Sequence, residues 1–564
     1  MTTLTNSKDH IRIQLIIAVI AALLFIPFLG GVHLFDWDEI NFAESAREMI
    51  KSGDYLNVQI DFTTFYEKPP LFIWMQVLSM KTFGINEFAA RFPNAICGIV
   101  TLLILFNIGR KIYSSRFGII WVICHGAAWL PFIYFKSGII DPWFNLFIFL
   151  GVNFFIDYLQ GLKNSTSTKG LIKLLIFSAG SLGLAILTKG PVAILVFSIA
   201  FLAYYLSVRG KMKLVFGHIL LFIGVLCIVG GFWFILQVLT GNSHVIIDFV
   251  NYQVKLFSTK DAGHGGFLLY HFIVILIGVF PTAILAIPML IRKDKGSDYQ
   301  DLYSRWMQIL FWVVIILFTI VKTKIVHYSS LCYFPISFLA AMYVNRLIEK
   351  KSLLNRALAW SIFGIGIVIS IIVALIPFID VFKERINLSG MIHDDFAIAA
   401  LQADGGWGTW EGIVSIFLLA GIILFLIYAR KKLAYIFVLY GFSTLFILSS
   451  ILLYTAKIER YSQLSEIEFC KRLAGKPVNL ETIDYRSYAI YYYFDKPAPL
   501  LNRALQITAG SSKSAYFIVK TNSKDDAMKA HPDLKLLYEK NGYVFLISSN
   551  SAIPDSLNIQ QILK

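Results

Sequence analysis

Asp36, Asp38, Glu39, Glu44, Arg47, Glu48, Glu67 and Lys68 crowd the stretch from Asp36 to Pro70 in a chain that is otherwise poor in charge. A positioned carboxylate can take the proton of a hydroxyl nucleophile, and a lysine can stabilise a departing oxyanion. Asp38 is the first choice for such a base, Asp141 the second, and Glu39 a further candidate. Asp38 and Asp141 would each also serve as a helix N-cap, since Asp38 opens a helix-like pattern over Ile40 to Ile50 and Asp141 precedes Pro142. Lys68, Lys255, Lys322 and Lys324 are the candidate oxyanion-stabilising cations, and a divalent metal at Glu67 is an optional addition. Pro69 and Pro70 fix an extended approach that would hold Glu67 and Lys68 rigidly. An interfacial anchor accounts for Tyr66 and Trp74 nearby, but not for Glu67. Lys189, in Leu-Thr-Lys-Gly-Pro, reads as a snorkelling side chain before a phosphate-binding one, and the Asp-Ala-Gly-His-Gly-Gly run at 261–266, with His264, as a flap.

The elements that position these groups are apolar. With 57% hydrophobic and 15% charged residues, the 564-residue chain cannot wet the surface of a soluble domain and reads as a polytopic α-helical membrane protein. Thirteen apolar segments are expected, starting with Ile13 to Leu29, which is long for a signal-peptide core and reads as a first span. Every second connector is basic, and these connectors together carry twenty lysines and arginines, from Arg110 to Lys432. The positive-inside rule makes them cytoplasmic. This reading accounts for the net charge of +15 without nucleic acid. The other connectors then face outward, and they hold the acidic loop 32–89, Asp141, Lys189, the His244–His264 stretch and Lys322 to Tyr328. The chemistry is expected on one side of the membrane.

Residues 1–455 form the expected membrane domain, and 456–564 an outer α/β domain. In the latter, alternation suggests strands at Tyr488 to Phe494, Ala515 to Val519 and Tyr543 to Ile547, with helices at Ser462 to Leu473 and Lys524 to Ala530. No catalytic motif stands out there. Four of the five cysteines lie in apolar segments, so no disulfide framework is readable.

The motif Asp-Glu-x-x-Phe-Ala-Glu-x-Ala-Arg-Glu-Met from Asp38, followed by Phe-Tyr-Glu-Lys-Pro-Pro, resembles the lipid A aminoarabinose transferase and protein O-mannosyltransferase superfamily. These GT-C-fold glycosyltransferases use a polyprenyl-phosphate sugar. The resemblance continues in order through Asn86 to Pro93, Ser137 to Pro142, Leu187 to Pro191 and Lys322 to Tyr328, over about the first 340 residues. It implies thirteen spans, an outer C-terminal domain, a bacterial inner-membrane location and a site on the periplasmic side. It implies catalytic or acceptor-side roles for Asp38 and Asp141, and donor-phosphate contacts at Lys68 and Tyr328. A divalent metal (Zn, Mg or Mn) would contact Glu67. The family's aminoarabinose branch pairs a metal-binding histidine with a following basic residue. Here Lys255 is the basic match, and His264 and His271 come later, with His264 the candidate ligand. Asn41 stands where the family often has arginine.

The function expected is transfer of a sugar from a polyprenyl-phosphate donor to a lipid, glycan or protein acceptor, with inversion, amid membrane lipids. A lipid-linked-sugar flippase or transporter is the alternative. It should bury charge at mid-membrane and show internal repeats, whereas most charges here lie in loops. A binding protein working through its tail is the third reading.

Overall fold

The computed structural model describes residues 7–36, 38–65, 67–212, 215–258, 266–292, 296–385, 392–497 and 514–548. The first part of the chain forms α1 (Ser7–Phe25), α2 (Asp38–Ser52), a hairpin of β1 (Gln59–Ile60) and β2 (Thr63–Thr64), α3 (Leu71–Phe83) and α4 (Glu87–Ile112). Then follow α5 (Ser115–Gly126), α6 (Trp129–Tyr134), α7 (Asp141–Lys163), α8 (Thr168–Lys189), α9 (Val192–Ser207), α10 (Phe216–Leu239) and α11 (Ser243–Ser258). After α12 (Tyr270–Gly278) and α13 (Thr282–Ile291) come α14 (Asp298–Ile320), a 3-10 segment Val326–Cys332, α15 (Tyr333–Glu349) and α16 (Arg356–Val381).

Nine of the described helices are long and apolar enough to cross a membrane. The other four of the thirteen expected segments depart from that form for readable reasons. The first helix, α1, carries Lys8, Asp9 and Arg12 in its opening turns. The segment at 117–135 is split into α5 and α6, and that at 267–291 into α12 and α13. The helix α9 has 16 residues, short of the ~20 that a perpendicular crossing takes.

Helices α7 and α8 form an antiparallel pair of 23 and 22 residues joined by a short turn, so Asp141 at the start of one is level with Lys189 at the end of the other. Small residues let them approach. A Cβ on Gly151 would meet Leu182 at 2.6 Å, and one on Gly183 would meet Val229 of α10 at 2.7 Å. Ser178 Oγ donates to the Gly151 carbonyl at 2.7 Å. Close backbone approach and hydroxyl bonds of this kind hold helices together where lipid removes the hydrophobic drive between them.

Beyond the membrane helices lies a four-stranded sheet of order β3-β4-β6-β5, made by β3 (Asn479–Ile483), β4 (Ala515–Lys520), β5 (Leu534–Lys540) and β6 (Tyr543–Ser548). β3 and β4 are parallel and the other pairs antiparallel. The strands expected at 515–519 and 543–547 and both expected helices are found here, whereas Tyr488 to Phe494 contains the short helix Ala489–Tyr492. Ala489 and Tyr493 are buried in the same core as Tyr488, Ile490, Tyr492 and Phe494, which one face of a strand could not achieve. That core also contains Ile40, Ala43, Ala46 and Met49 of α2 with Ile467, Phe469 and Leu473. The 32–89 stretch and the C-terminal sheet therefore share one core, and position 455 falls inside the helix Ala434–Ser462.

Candidate active site

Apart from α2, four helix ends converge on one end of the bundle: α7 and α9 begin there, and α8 and α14 end there. They enclose a cavity of about 460 Å³ together with α2, the Glu67–Lys68 turn, α11 and the 3-10 segment. Its polar wall carries Asp38, Asn41, Glu67, Lys68, Asp141, Lys189, Lys255, His327, Tyr328 and Arg486. Its apolar wall includes Phe144, Ile148, Val192, Val196, Phe318 and Leu331. A separate groove of about 610 Å³, lined by Asp404, Arg460 and Glu539 among others, shares no residue with it.

Within the cavity the charged groups form a line. The Lys189 ammonium donates to Asp141 Oδ1 at 2.7 Å, with the two side chains 14% and 4% exposed. His327 lies between the acids, Nε2 4.0 Å from Asp141 Oδ2 and Nδ1 3.6 Å from Asp38 Oδ2. The Asp38 side chain is 48% exposed, which leaves its carboxylate open to an incoming molecule. Asn145 Nδ2 donates to Ser330 Oγ at 2.7 Å, and the Ser330 hydroxyl to the His327 carbonyl, so the segment carrying the imidazole is tied to α7. His271 is buried and hydrogen-bonds Ser329 at 3.3 Å, which gives it a structural partner.

On the facing wall Lys68 sits 3.9 Å from Glu67 Oε2, with its ammonium 5.7 Å from the Tyr252 ring centre. Burial pushes the Lys68 ammonium below the usual lysine range. Glu67 pulls against this, and Lys189 adds to it. An arriving phosphate would reverse that shift by supplying the missing counter-charge. Lys255 and Tyr252 come from α11, an amphipathic helix within the stretch read from the sequence as an outer loop.

Three expected site residues are placed otherwise. Glu39 is 5% exposed and clamped by Arg91, whose Nε and Nη2 donate to its two oxygens at 2.9 and 2.7 Å. The Phe35 and Gly138 backbone N–H groups donate to the same carboxylate at 2.9 and 2.5 Å. Burial alone would raise this carboxyl, but Arg91 and the hydrogen bonds more than offset it and hold it below its ordinary value. Every lone pair is taken up by the join between α2, α4 and the 137–140 turn, so Glu39 is a structural acid. Lys324 turns back and donates to the carbonyls of Phe318, Thr319 and Val321, capping the end of α14. Lys322 is exposed and lies outside the cavity, where Thr323 and Ile325 take part instead.

The rest of the acidic loop is also committed. Asp36 accepts from Ser487 Oγ at 2.9 Å and from the Tyr488 N–H at 3.2 Å. Glu44 holds Arg47 through two bonds of 2.6 Å, and Arg47 reaches Asp495 at 2.6 Å. Of the five acids from Asp36 to Glu48, Asp38 alone lines the cavity. His264 and most of the glycine-rich flap lie outside the described residues. Among the described residues no three His, Cys, Asp or Glu side chains are grouped to hold a metal. Glu67 does not by itself make such a site.

Sequence reasoning passed over Arg486, and it weighed Lys189 without pairing it with Asp141. Lys189 was legible, because two antiparallel helices of equal length must bring 141 and 189 level. Arg486 was not, since it reaches the cavity from the turn after β3, and no sequence pattern says where the C-terminal sheet docks.

A family model described as dolichyl-phosphate-mannose-protein mannosyltransferase matches residues 67–233, a span holding Glu67, Lys68, Asp141 and Lys189. The undecaprenyl phosphate-alpha-4-amino-4-deoxy-L-arabinose arabinosyl transferase of Edwardsiella ictaluri is 26% identical over 375 residues, 64% of this chain and 65% of that protein. The protein of the same name from Pectobacterium carotovorum is 24% identical over 435 residues, 73% of this chain and 74% of its own length. The chain thus spans just under two thirds of the Edwardsiella relative. Among solved structures, ArnT from Cupriavidus metallidurans bound to undecaprenyl phosphate matches with a TM-score of 0.73 at 18% identity, over 96% of this chain and 99% of that one. At that identity the likeness establishes the fold.

Proposed function

We propose, from the chain's place in the GT-C glycosyltransferase superfamily, that it transfers a sugar from a polyprenyl phosphate to a lipid, glycan or protein acceptor. The observation that carries this reading is the make-up of a single cavity. An open carboxylate at Asp38 faces the lysines Lys68 and Lys255 across a space whose other wall is apolar. A lipid phosphate ester needs both walls. The helices α9 and α14 also border a second apolar groove of about 620 Å³, lined by Ile199, Ala203, Val313, Leu317 and Ile320 among others. A polyprenyl chain would find greasy walls along both.

In this reaction the acceptor oxygen attacks the anomeric carbon as the bond from that carbon to the phosphate oxygen breaks. The acceptor proton passes to Asp38, and the polyprenyl phosphate leaves with the bonding electron pair. Attack from the face opposite the leaving group inverts the centre. Lys68 and Lys255, with the Tyr328 hydroxyl, stabilise the charge growing on the phosphate. Lys189 keeps Asp141 ionised, and Asp141 in turn orients His327 beside Asp38. The charge pattern supports a site on the outer, periplasmic side of a bacterial inner membrane.

The test compares lipid-linked glycans, lipid A and glycoproteins by mass spectrometry in cells carrying wild type, a deletion or Asp38→Asn. Loss of one glycoform in both altered strains is expected. An unchanged profile in both would sink the transferase reading.

A further inference from the structure

Arg486 reaches the cavity from a turn that two acids hold from behind. On one side of it, the Tyr485 hydroxyl donates to Glu466 Oε1 at 3.0 Å. On the other, Ser487 Oγ donates to Asp36 Oδ2 at 2.9 Å, and the Tyr488 N–H to Asp36 Oδ1 at 3.2 Å. Asp36 stands two residues before Asp38, in the loop that enters α2, and Glu466 belongs to the helix Leu464–Leu473. Gln463 closes the join, accepting from the Asp36 N–H at 3.0 Å and donating to the Leu34 carbonyl at 2.8 Å. The residues on both sides of Arg486 are thus clasped by carboxyl groups, one of them in the loop of the candidate base.

The donors on these two carboxyls are hydroxyls and a backbone N–H, all neutral. Glu466 is 2% exposed, and Ser487 is hydrogen-bonded to both acids. A hydroxyl has one hydrogen to give. The cation that acts on both is Lys520 of β4, from a seat over the rings of Phe396 and Tyr485 at 4.6 and 5.1 Å. Also facing the pair are Cys470, one turn beyond Glu466, Tyr543 of β6, and Tyr488, whose ring lies 5.2 Å from the Arg486 guanidinium. Burial holds that thiol and those phenols above their ordinary ranges, so they stay neutral. Two desolvated carboxylates without a paired cation repel each other, and the pair keeps a proton. Burial raises Asp36 to about 6, and burial with the Asp36 charge raises Glu466 to about 7.

We propose that Glu466 and Asp36 form a proton-sharing latch, which holds the Arg486 turn over the cavity while a proton is bound and lets it go when both acids ionise. Glu466 is then a positioning residue for the site and makes transfer sensitive to pH. The effect on transfer rests on the function proposed above; the opening of the turn does not. Both carboxyls lie above their unfolded values when the turn is docked, so the docked state binds the extra proton. Its hold is complete below the ordinary carboxyl range and is lost as pH rises through about 6 to 7.

The experiment follows hydrogen exchange by mass spectrometry on the full chain in nanodiscs, reading peptides across the turn and correcting for the intrinsic pH dependence of amide exchange. In wild type, protection of the turn should fall about 10–100-fold between about pH 5 and 7.5. Glu466→Gln keeps an acceptor for Tyr485 without the charge, so its protection should change less than about threefold over that range. Glu48, whose carboxyl is also raised, accepts from the Phe62 N–H at 2.8 Å instead, so the comparison isolates the pair. Equal protection at both ends of the range in wild type would overturn the proposal, and that arm needs no variant to fold. A variant that keeps the wild-type fall would overturn it as well. A second arm measures kcat/KM with undecaprenyl-phosphate-linked mannose and 4-amino-4-deoxyarabinose as donors, and membranes of the deletion strain as the acceptor source. The ratio of variant to wild type should be near one at the acid end and rise with pH. A flat ratio alongside falling protection would separate the latch from the site and refute the positioning role. Absence of turnover by wild type at every pH would sink the function proposed above, while the exchange result still stands for or against the latch.

Discussion

Asp38 and Glu39 are adjacent acids, and the structure gives them opposite fates, which a pair of isosteric substitutions can separate. Glu39→Gln keeps the shape but turns one acceptor into a donor and removes the charge. Each oxygen of that carboxylate now accepts one Arg91 N–H, at 2.9 or 2.7 Å, and one backbone N–H, so two of the four donors would then meet an N–H₂. Arg91, 4% exposed, would lose its counter-charge, though it keeps its bonds to the carbonyls of Leu29, Val32 and His33. Removing one partner of a buried pair costs about 3–5 kcal/mol, and the retained carbonyl bonds put this case near ~3 kcal/mol. That is a large part of the 5–15 kcal/mol that holds a typical domain. Asp38→Asn, at a side chain 48% exposed, should leave stability within ~0.5 kcal/mol. It should cost about 10²–10⁴ in turnover, the contribution of a general base. Heat challenge followed by fluorescence-detected size exclusion reads stability, and transfer at saturating substrate reads turnover. A Glu39→Gln protein that survives heating like wild type, yet loses turnover as fully as Asp38→Asn, would refute this assignment and return Glu39 to the chemistry.

Lys189→Met leaves Asp141 buried without its cation, and about 3–5 kcal/mol of stability should be lost. Adding Asp141→Asn should restore much of it without restoring transfer, as thermal inactivation and turnover together would register. Lys68 has its ammonium depressed by burial, so kcat/KM should fall on the alkaline side at a pH below the ordinary lysine range of ~10.4. Lys68→Arg should move that limb upward, and an unmoved limb would assign it to another group. Glu48 is fully buried, and burial together with Glu44 raises its carboxyl to about 8. Its folded pKa lies above the unfolded value, so the native state binds the extra proton, and stability should decline as pH rises from the ordinary glutamate range towards 8. The slope is about 1.4 kcal/mol per pH unit for one group. Glu48→Gln should flatten that decline in a melting-temperature series, and an unchanged slope would count against it.

The sequence by itself determined the class of molecule and where its chemistry gathers. Apolar runs of spanning length leave a chain no soluble fold, and the alternation of basic connectors sorts Asp38, Glu67, Lys68, Asp141 and Tyr328 onto one side, because lysine and arginine distribute by membrane side rather than by tertiary contact. These residues do line one cavity. What only the tertiary structure decided is the commitment of each polar side chain. Asp38 and Glu39 are neighbours in sequence, but α2 turns about 100° per residue, so one faces the cavity and the other faces Arg91 in α4. The same geometry sends Lys324 back onto the end of α14 and leaves Thr323 in the wall. Arg486 enters from a sheet far along the chain because α2 and that sheet share one buried core. Local composition sets which groups are near the membrane surface. Packing sets which of them are already satisfied, and an open carboxylate such as Asp38 can be told from a clamped one such as Glu39 only once their neighbours are placed.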